Sequence, residues 1–149
     1  MESTSALIDL LVIGYGNTLR GDDSVGPRVA EAIEALKLPG VRALSCNLLT
    51  PELAETISQA RRVVFVDASV EPEVEVEMKK LFPAESSQIF AHAADPRTLL
   101  AMARDLFGHV PEAWCLSIPV ENLDIGEELS AVAKRGLDVA LKSIRDLAR

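Results

Sequence analysis

The sequence predicts an α/β fold in which five strands form one sheet between helices. Three observations carry this. Short apolar runs alternate along the chain with segments of helical periodicity, which is the pattern of a sheet wound with crossover helices. Two of the runs, residues 10–13 and 63–66, show no polar alternation, so they read as strands covered on both faces in a parallel sheet. One segment, 74–81, does alternate apolar with charged side chains through Val74, Val76 and Met78, which marks a half-exposed or edge strand, the odd one out. At 149 residues and 48% hydrophobic, the chain makes one domain, 1–149, with a sizeable core.

The elements follow in order. After the first strand, Gly14 and Gly16 let the backbone turn sharply and approach a ligand or a neighbouring strand. Val25, Val29, Ile33 and Leu36 recur at helical spacing, with Pro27 in the first turn, where its missing N–H breaks no intrahelical bond. The stop at 38–40 precedes a second strand over 41–46. Thr50 as N-cap and Pro51 at the first helical position open a short helix to about residue 60, and the third strand ends at Asp67. Asp95 and Pro96 begin a helix carrying Leu99, Leu100, Met102, Ala103, Leu106 and Phe107, which Gly108 ends. Residues 114–118 are the fifth strand. A last helix over 126 to about 147 turns Leu129, Ala133, Leu137, Leu141 and Ile144 inward.

Composition narrows the function. Fifteen basic against 23 acidic residues leave a net charge of −8, which argues against nucleic acid and against an anionic membrane surface as partners. Residues 1–8 lack the basic and apolar regions of a signal peptide, and no apolar run reaches membrane-spanning length, so a cytoplasmic protein is expected. Cys46 and Cys115 read as reduced, partly buried thiols.

The chemistry concentrates at one end of the predicted sheet. Asp22 and Asp23 fall at the junction between the loop after strand one and the following helix, where open α/β sheets bind ligands. One aspartate suffices to cap a helix and complement its dipole. A second beside it adds repulsion, which points to a cation ligand. Asp67 closes strand three, the natural neighbour of strand one, and His92 lies in the loop after strand four. Carboxylates plus one imidazole suit a divalent transition metal such as nickel, zinc or manganese better than calcium or magnesium. The bland readings stand beside this: a strand-end aspartate also caps helices, and a lone loop histidine is commonly solvated. Asn17 can pin the loop through local hydrogen bonds or hold a substrate backbone near the metal. His109, after Gly108, reads as an exposed loop residue, and Trp114 as a packing residue.

The segments GYGNTLRGDDSVGPRVAE at 14–31, LTPELAE at 49–55, VVFVDA at 63–68, and the histidine before a Leu-Leu helix at 92–100 resemble the hydrogenase maturation endopeptidase family. These enzymes process the large subunit of nickel-iron hydrogenases. The likeness runs from about residue 9 to the final helix and is most specific in G-x-G-N-x-L-x-x-D-D. The resemblance implies a three-layer α/β/α fold with a mixed, mostly parallel five-stranded sheet. It implies Asp23, Asp67 and His92 as metal ligands; Asp22 or Asp23 is the candidate general base, and Gly16 and Asn17 line the site. The implied reaction is removal of a C-terminal extension from the hydrogenase large-subunit precursor after nickel insertion, the nickel ion being supplied by the precursor. This chain has Ser24 where many relatives have glycine, and Asp23 where they often have glutamate. Neither change removes a ligand type.

Two other classes share parts of this pattern. A dinucleotide binder needs G-x-G-x-x-G, but Leu19 stands at the last glycine position and two acids stand where pyrophosphate would sit. A magnesium-dependent phosphoacceptor (receiver-like) signalling domain also places an acid pair after strand one and an aspartate at the end of strand three. Such domains put the acids directly after the strand and carry a lysine after strand five; here residues 14–21 intervene and 116–122 offer no lysine.

Overall fold

The computed structural model describes residues 7–70, 75–85, 95–126 and 128–149. Its strands are β1 (Ile8–Tyr15), β2 (Val41–Cys46), β3 (Ala60–Ser69), β4 (Glu77–Leu81) and β5 (Glu112–Pro119), and its helices are α1 (Val25–Ala35), α2 (Leu53–Ser58), α3 (Pro96–Phe107) and α4 (Ala131–Leu147). They form one five-stranded sheet in the order β2-β1-β3-β5-β4. All neighbours are parallel except β4, which runs antiparallel to β5 at the edge position that the alternating pattern predicts, although it starts at Glu77 and leaves residues 75 and 76 outside the strand.

Strand alternation decides which helix covers which face. Leu10, Val12, Val64, Val66, Leu116 and Ile118 meet α1 and α4 through Val29, Ile33, Ala133 and Ile144. The intervening Leu11, Ile13, Val63 and Phe65 meet α2 and α3 through Ile57, Leu99, Leu100 and Ala103. The result is a three-layer α/β/α fold. Truncating a side chain such as Leu11 or Phe65, each fully buried, costs about 3–5 kcal/mol by the usual large-to-small range.

Two glycines let α1 sit directly on the sheet. A Cβ on Gly14 would lie 1.9 Å from the carbonyl oxygen of Gly26, and one on Gly26 would lie 2.6 Å from that of Tyr15 and 2.7 Å from that of Val66. Helix and strand are therefore in backbone contact just where the loop leaves β1. A similar seam of small residues, Ala133, Gly136 and Ala140, brings α4 down onto Ile118.

Several element ends differ from expectation. The last helix starts at Ala131 with Ser130 as N-cap, not near 126, because the preceding loop is drawn aside by hydrogen bonds described below. The helix after Pro51 starts at Leu53; Thr50 and Pro51 contribute only the first turn, their carbonyls accepting from Leu53 and Ala54. Strand β3 runs on past Asp67 because β5 continues alongside it, pairing Asp67 with Ser117 and Ser69 with Pro119. Of the residues expected inward, Leu36 is exposed, while Leu137 and Leu141 are only partly covered because the smaller residues carry the contact. By contrast α3 is bounded as predicted: the Asp95 carboxylate accepts from Thr98 N–H at 2.8 Å, and Gly108 closes it at φ +79°. Val74 lies outside the described residues, and among those described no helix is long and apolar enough to cross a membrane.

Candidate active site

The loop after β1 is built by short hydrogen bonds that fix where its acids go. Gly16, at φ +151°, donates its N–H to the Cys46 carbonyl at 3.1 Å, and a Cβ there would lie 2.1 Å from the Asp23 carbonyl oxygen. Only glycine allows the chain to fold back this tightly. The Asn17 side chain accepts from Leu19 N–H at 2.9 Å, which is the loop-pinning role of the two open to it in the sequence. The Asn17 N–H donates to the Asp23 carboxylate at 2.7 Å. Gly21–Ser24 then form a single 3-10 turn, in which the buried Ser24 hydroxyl donates to the Gly21 carbonyl at 2.8 Å and accepts from Arg28 Nε at 2.9 Å. Serine at this position thus has a satisfied hydroxyl.

The two adjacent aspartates part company. Asp22 is fully buried, and its carboxylate accepts from Glu121 N–H (2.8 Å), Asn122 N–H (2.9 Å), Ser130 N–H (2.7 Å) and the Ser130 hydroxyl (2.5 Å). Burial alone would raise its pKa, but the bonds from Asn122, Ser130 and Glu121 outweigh it and hold the group below the usual carboxylate range. With four donors already on its oxygens, Asp22 is placed to tie the loop after β5 to the loop after β1; a general base needs a free lone pair. Asp23, half-buried, keeps most of its carboxylate free of protein donors, with Asn17 N–H the bond found among the described residues.

Asp67 points into the same region from the adjacent strand. Because Gly14 pairs with Val66, Tyr15 stands beside Asp67, with its hydroxyl near enough to the Asp67 carboxylate to favour the ionised form. Burial pushes the Asp67 pKa up; the bonds from Tyr15 and Ala68 N–H oppose this, and the negative charge of Asp23 adds to the rise. Tyr15 in turn is pushed far up by burial and by the charge of Asp67. The charge of Asp23 thus reaches Asp67 across the loops at the carboxyl ends of β1 and β3. Carboxylate oxygens are donors of the kind that divalent cations take, and two of them are present here.

His92, the third ligand that the family resemblance implies, lies outside the described residues. Among the described residues no three His, Cys, Asp or Glu side chains come together to hold a metal ion. Cys115 and Cys46 are free thiols, both raised by burial, and among the described residues neither has a histidine partner that would activate it. His109 is exposed, but its Nε2 lies 3.0 Å from the carbonyl oxygen of Ala60, at the opposite end of β3 from Asp67. Trp114 packs, with the Lys80 ammonium 5.2 Å from its ring centre.

Tyr15 and Ser130 were not singled out in the sequence. Once strands one and three are taken as neighbours, Tyr15 falls one residue past the Gly14–Val66 pair, as does Asp67, so the signal for Tyr15 was present. Ser130 had only the weak signal of a Ser three residues before Ala133.

Neither a protein-family model nor a curated protein sequence matches the chain. Solved structures do. A [NiFe] hydrogenase maturation protease, HycI, from Thermococcus kodakarensis is 23% identical with a TM-score of 0.72, over 97% of this chain and 94% of that one. The [NiFe] hydrogenase maturation protease HybD from the same organism is 25% identical with a TM-score of 0.70, over 95% and 99%. The hydrogenase maturating endopeptidase HybD from E. coli is 22% identical with a TM-score of 0.67, over 91% and 89%. Sheet order, layers and nearly full coverage agree with the resemblance carried by the G-x-G-N-x-L-x-x-D-D loop: the chain has the fold of the hydrogenase maturation proteases, and a peptidase role is what these neighbours support.

Proposed function

We propose that the protein is an endopeptidase that removes the C-terminal extension of a nickel-iron hydrogenase large-subunit precursor once nickel has been inserted. The observation that carries this reading is the Asp23–Asp67 pair at the carboxyl ends of β1 and β3, in a chain with the fold of proteases so named. In this account the nickel belongs to the substrate. Asp23 and Asp67 offer it oxygen ligands, His92 an imidazole, and the enzyme acts only on a precursor that presents the metal. Tyr15 stands beside the Asp67 carboxylate, and Gly16 with Asn17 fixes the position of Asp23. The chemistry is addition of water across one amide: the C–N bond breaks, a C–O bond forms, and a proton reaches the departing amine. Asp22 serves by structure, keeping the loop closed. The reaction is assigned to the cytoplasm, where thiols such as Cys46 and Cys115 stay reduced.

The phosphoacceptor reading is weaker on the fold. Flavodoxin-like sheets of receiver type have strand order 2-1-3-4-5, whereas this sheet runs 2-1-3-5-4 with an antiparallel edge. Mass spectrometry of a large-subunit precursor after incubation with the protein tests the proposal. One C-terminal peptide should appear from nickel-loaded precursor and none from metal-free precursor; no cut in either would overturn it.

A further inference from the structure

The loops that leave the sheet at the Asp23–Asp67 end expose large apolar side chains. Leu19 follows β1 at 62% exposed, Leu48 follows β2 at 67%, Val70 follows β3 at 65%, and Ile125 follows β5 at 91%. A loop that frays can expose leucine and isoleucine at little cost. Two of these four belong to loops that do not fray freely. Gly126 N–H donates to the Leu19 carbonyl at 2.8 Å, Gly21 N–H donates to the Gly126 carbonyl at 2.7 Å, and Arg20 Nε donates to the Leu123 carbonyl at 3.2 Å. Arg20 and Gly126 thereby form a parallel bridge that sets Leu19 alongside Ile125. Asp22 locks the same two loops from below through its bonds to residues 121, 122 and 130. Beside them Arg20, Leu123, Asp124 and Ile125 line an open cleft of about 500 Å³.

An exposed apolar pair held on a doubly tied platform is the signature of a contact surface rather than of a loop tip. The platform is continuous with the site, since Leu19 lies between Asn17 and Asp23 in a loop closed by the Asn17–Asp23 bond. Charge does not favour an anionic partner, because Asp23, Glu121 and Asp124 belong to the same two loops and the chain carries −8. Resting on the reading of the chain as a peptidase that acts on a folded precursor, we propose that Leu19 and Ile125, with Leu48 and Val70 on the rim, dock an apolar surface of that precursor next to its scissile segment. The platform would then present the cut site to Asp23 and Asp67 whether or not nickel is bound, leaving the metal to license the cut.

The test measures docking and cutting separately. Calorimetry with metal-free large-subunit precursor should show binding to the wild-type protein, loss of tenfold or more in affinity for the double variant Leu19→Ser/Ile125→Ser, and no change for Val139→Ser. Val139 is a comparably apolar surface residue on α4, 50% exposed, and circular dichroism should show all three proteins folded alike. With nickel-loaded precursor the double variant should raise KM about tenfold and leave kcat unchanged. Equal affinity for wild type and double variant, or no binding of either precursor by the wild type, overturns the docking platform. Loss of affinity in the double variant without any cut by the wild type would keep the platform and sink the peptidase reading; equal KM values with a normal cut would do the reverse.

Discussion

Ser130 donates both its N–H and its hydroxyl to the carboxylate of Asp22, across 108 positions of sequence, while its Oγ accepts from Ala133 N–H at 3.1 Å as the N-cap of α4. One buried carboxylate therefore fixes three things: the turn that carries Asp23, the loop that carries Ile125, and the start of the last helix. The aspartate pair looks redundant as a sequence and is divided in the structure: Asp22 is taken up by four bonds, and Asp23 accepts only from Asn17 N–H among the described residues.

Removing that carboxylate should be costly. Asp22→Asn keeps the shape but turns an NH2 toward at least one of the donors now on the two oxygens, leaving buried N–H groups without acceptors. We expect a loss of roughly 2–4 kcal/mol, since bonds to a charged acceptor carry about 1.5–3 kcal/mol each and the remaining contacts recover part. Urea unfolding read by circular dichroism checks this, and a loss below about 0.5 kcal/mol would contradict the role.

The same bond set predicts an acid limit. Asp22 has a folded-state pKa below the unfolded value of about 3.8, so the unfolded chain binds its proton first as pH falls. The stabilisation is fully present above that unfolded value and is lost as pH drops through the folded pKa. Melting temperatures of wild type and Asp22→Asn should therefore converge below pH 4 and stay apart at pH 6–7. A constant gap across that range would show that the carboxylate charge does not matter.

Asp67 should behave in the opposite sense. Its folded pKa is raised, first by burial and further by Asp23, so the folded state disfavours the ionised form, and stability that exists below the ordinary carboxylate pKa is lost as pH rises through the raised one. Asp67→Asn should accordingly unfold at a higher midpoint than wild type at pH 7, while losing most of its cleavage activity. A variant both inactive and less stable at pH 7 would place Asp67 among structural residues instead.

The contact of α1 with the sheet gives a steric prediction. Gly26→Ala would drive a methyl into the carbonyls of Tyr15 and Val66, so α1 must lift and carry the Asp23 turn with it. We expect a loss of about 3 kcal/mol, at the upper end of the usual range for overpacked cores. At Gly108, where nothing lies within 4 Å of an added Cβ, alanine meets only the backbone strain of φ +79° and should cost about 1 kcal/mol. Thermal unfolding of the two variants side by side separates packing from strain.

Much of this was legible in the sequence because it depended on local chemistry. The apolar runs at 10–13 and 63–66 marked the buried central strands, the alternation through Val76 and Met78 marked the edge strand, and Asp95, Pro96 and Gly108 marked both ends of α3. What was hidden depended on partners distant in sequence. The start of α4 moved to Ala131 because Asp22 captures residues 121–130, and nothing in that segment itself reveals a carboxylate waiting a hundred residues upstream. The division of labour between Asp22 and Asp23 was hidden for the same reason, since adjacent side chains diverge by backbone geometry that only the folded turn defines. Tyr15 lay in between: its place beside Asp67 follows from strand register.

The central claim is that Asp23 and Asp67, far apart in the chain, act together on one metal with His92. It is tested most directly by growing crystals of the protein, soaking them with nickel or cadmium, and locating the metal by its anomalous signal. The account predicts one main peak bridging the Asp23 and Asp67 carboxylates with the His92 imidazole as a further ligand, and its loss in Asp67→Asn crystals. A peak elsewhere, with Asp23 and Asp67 free of metal, would contradict it.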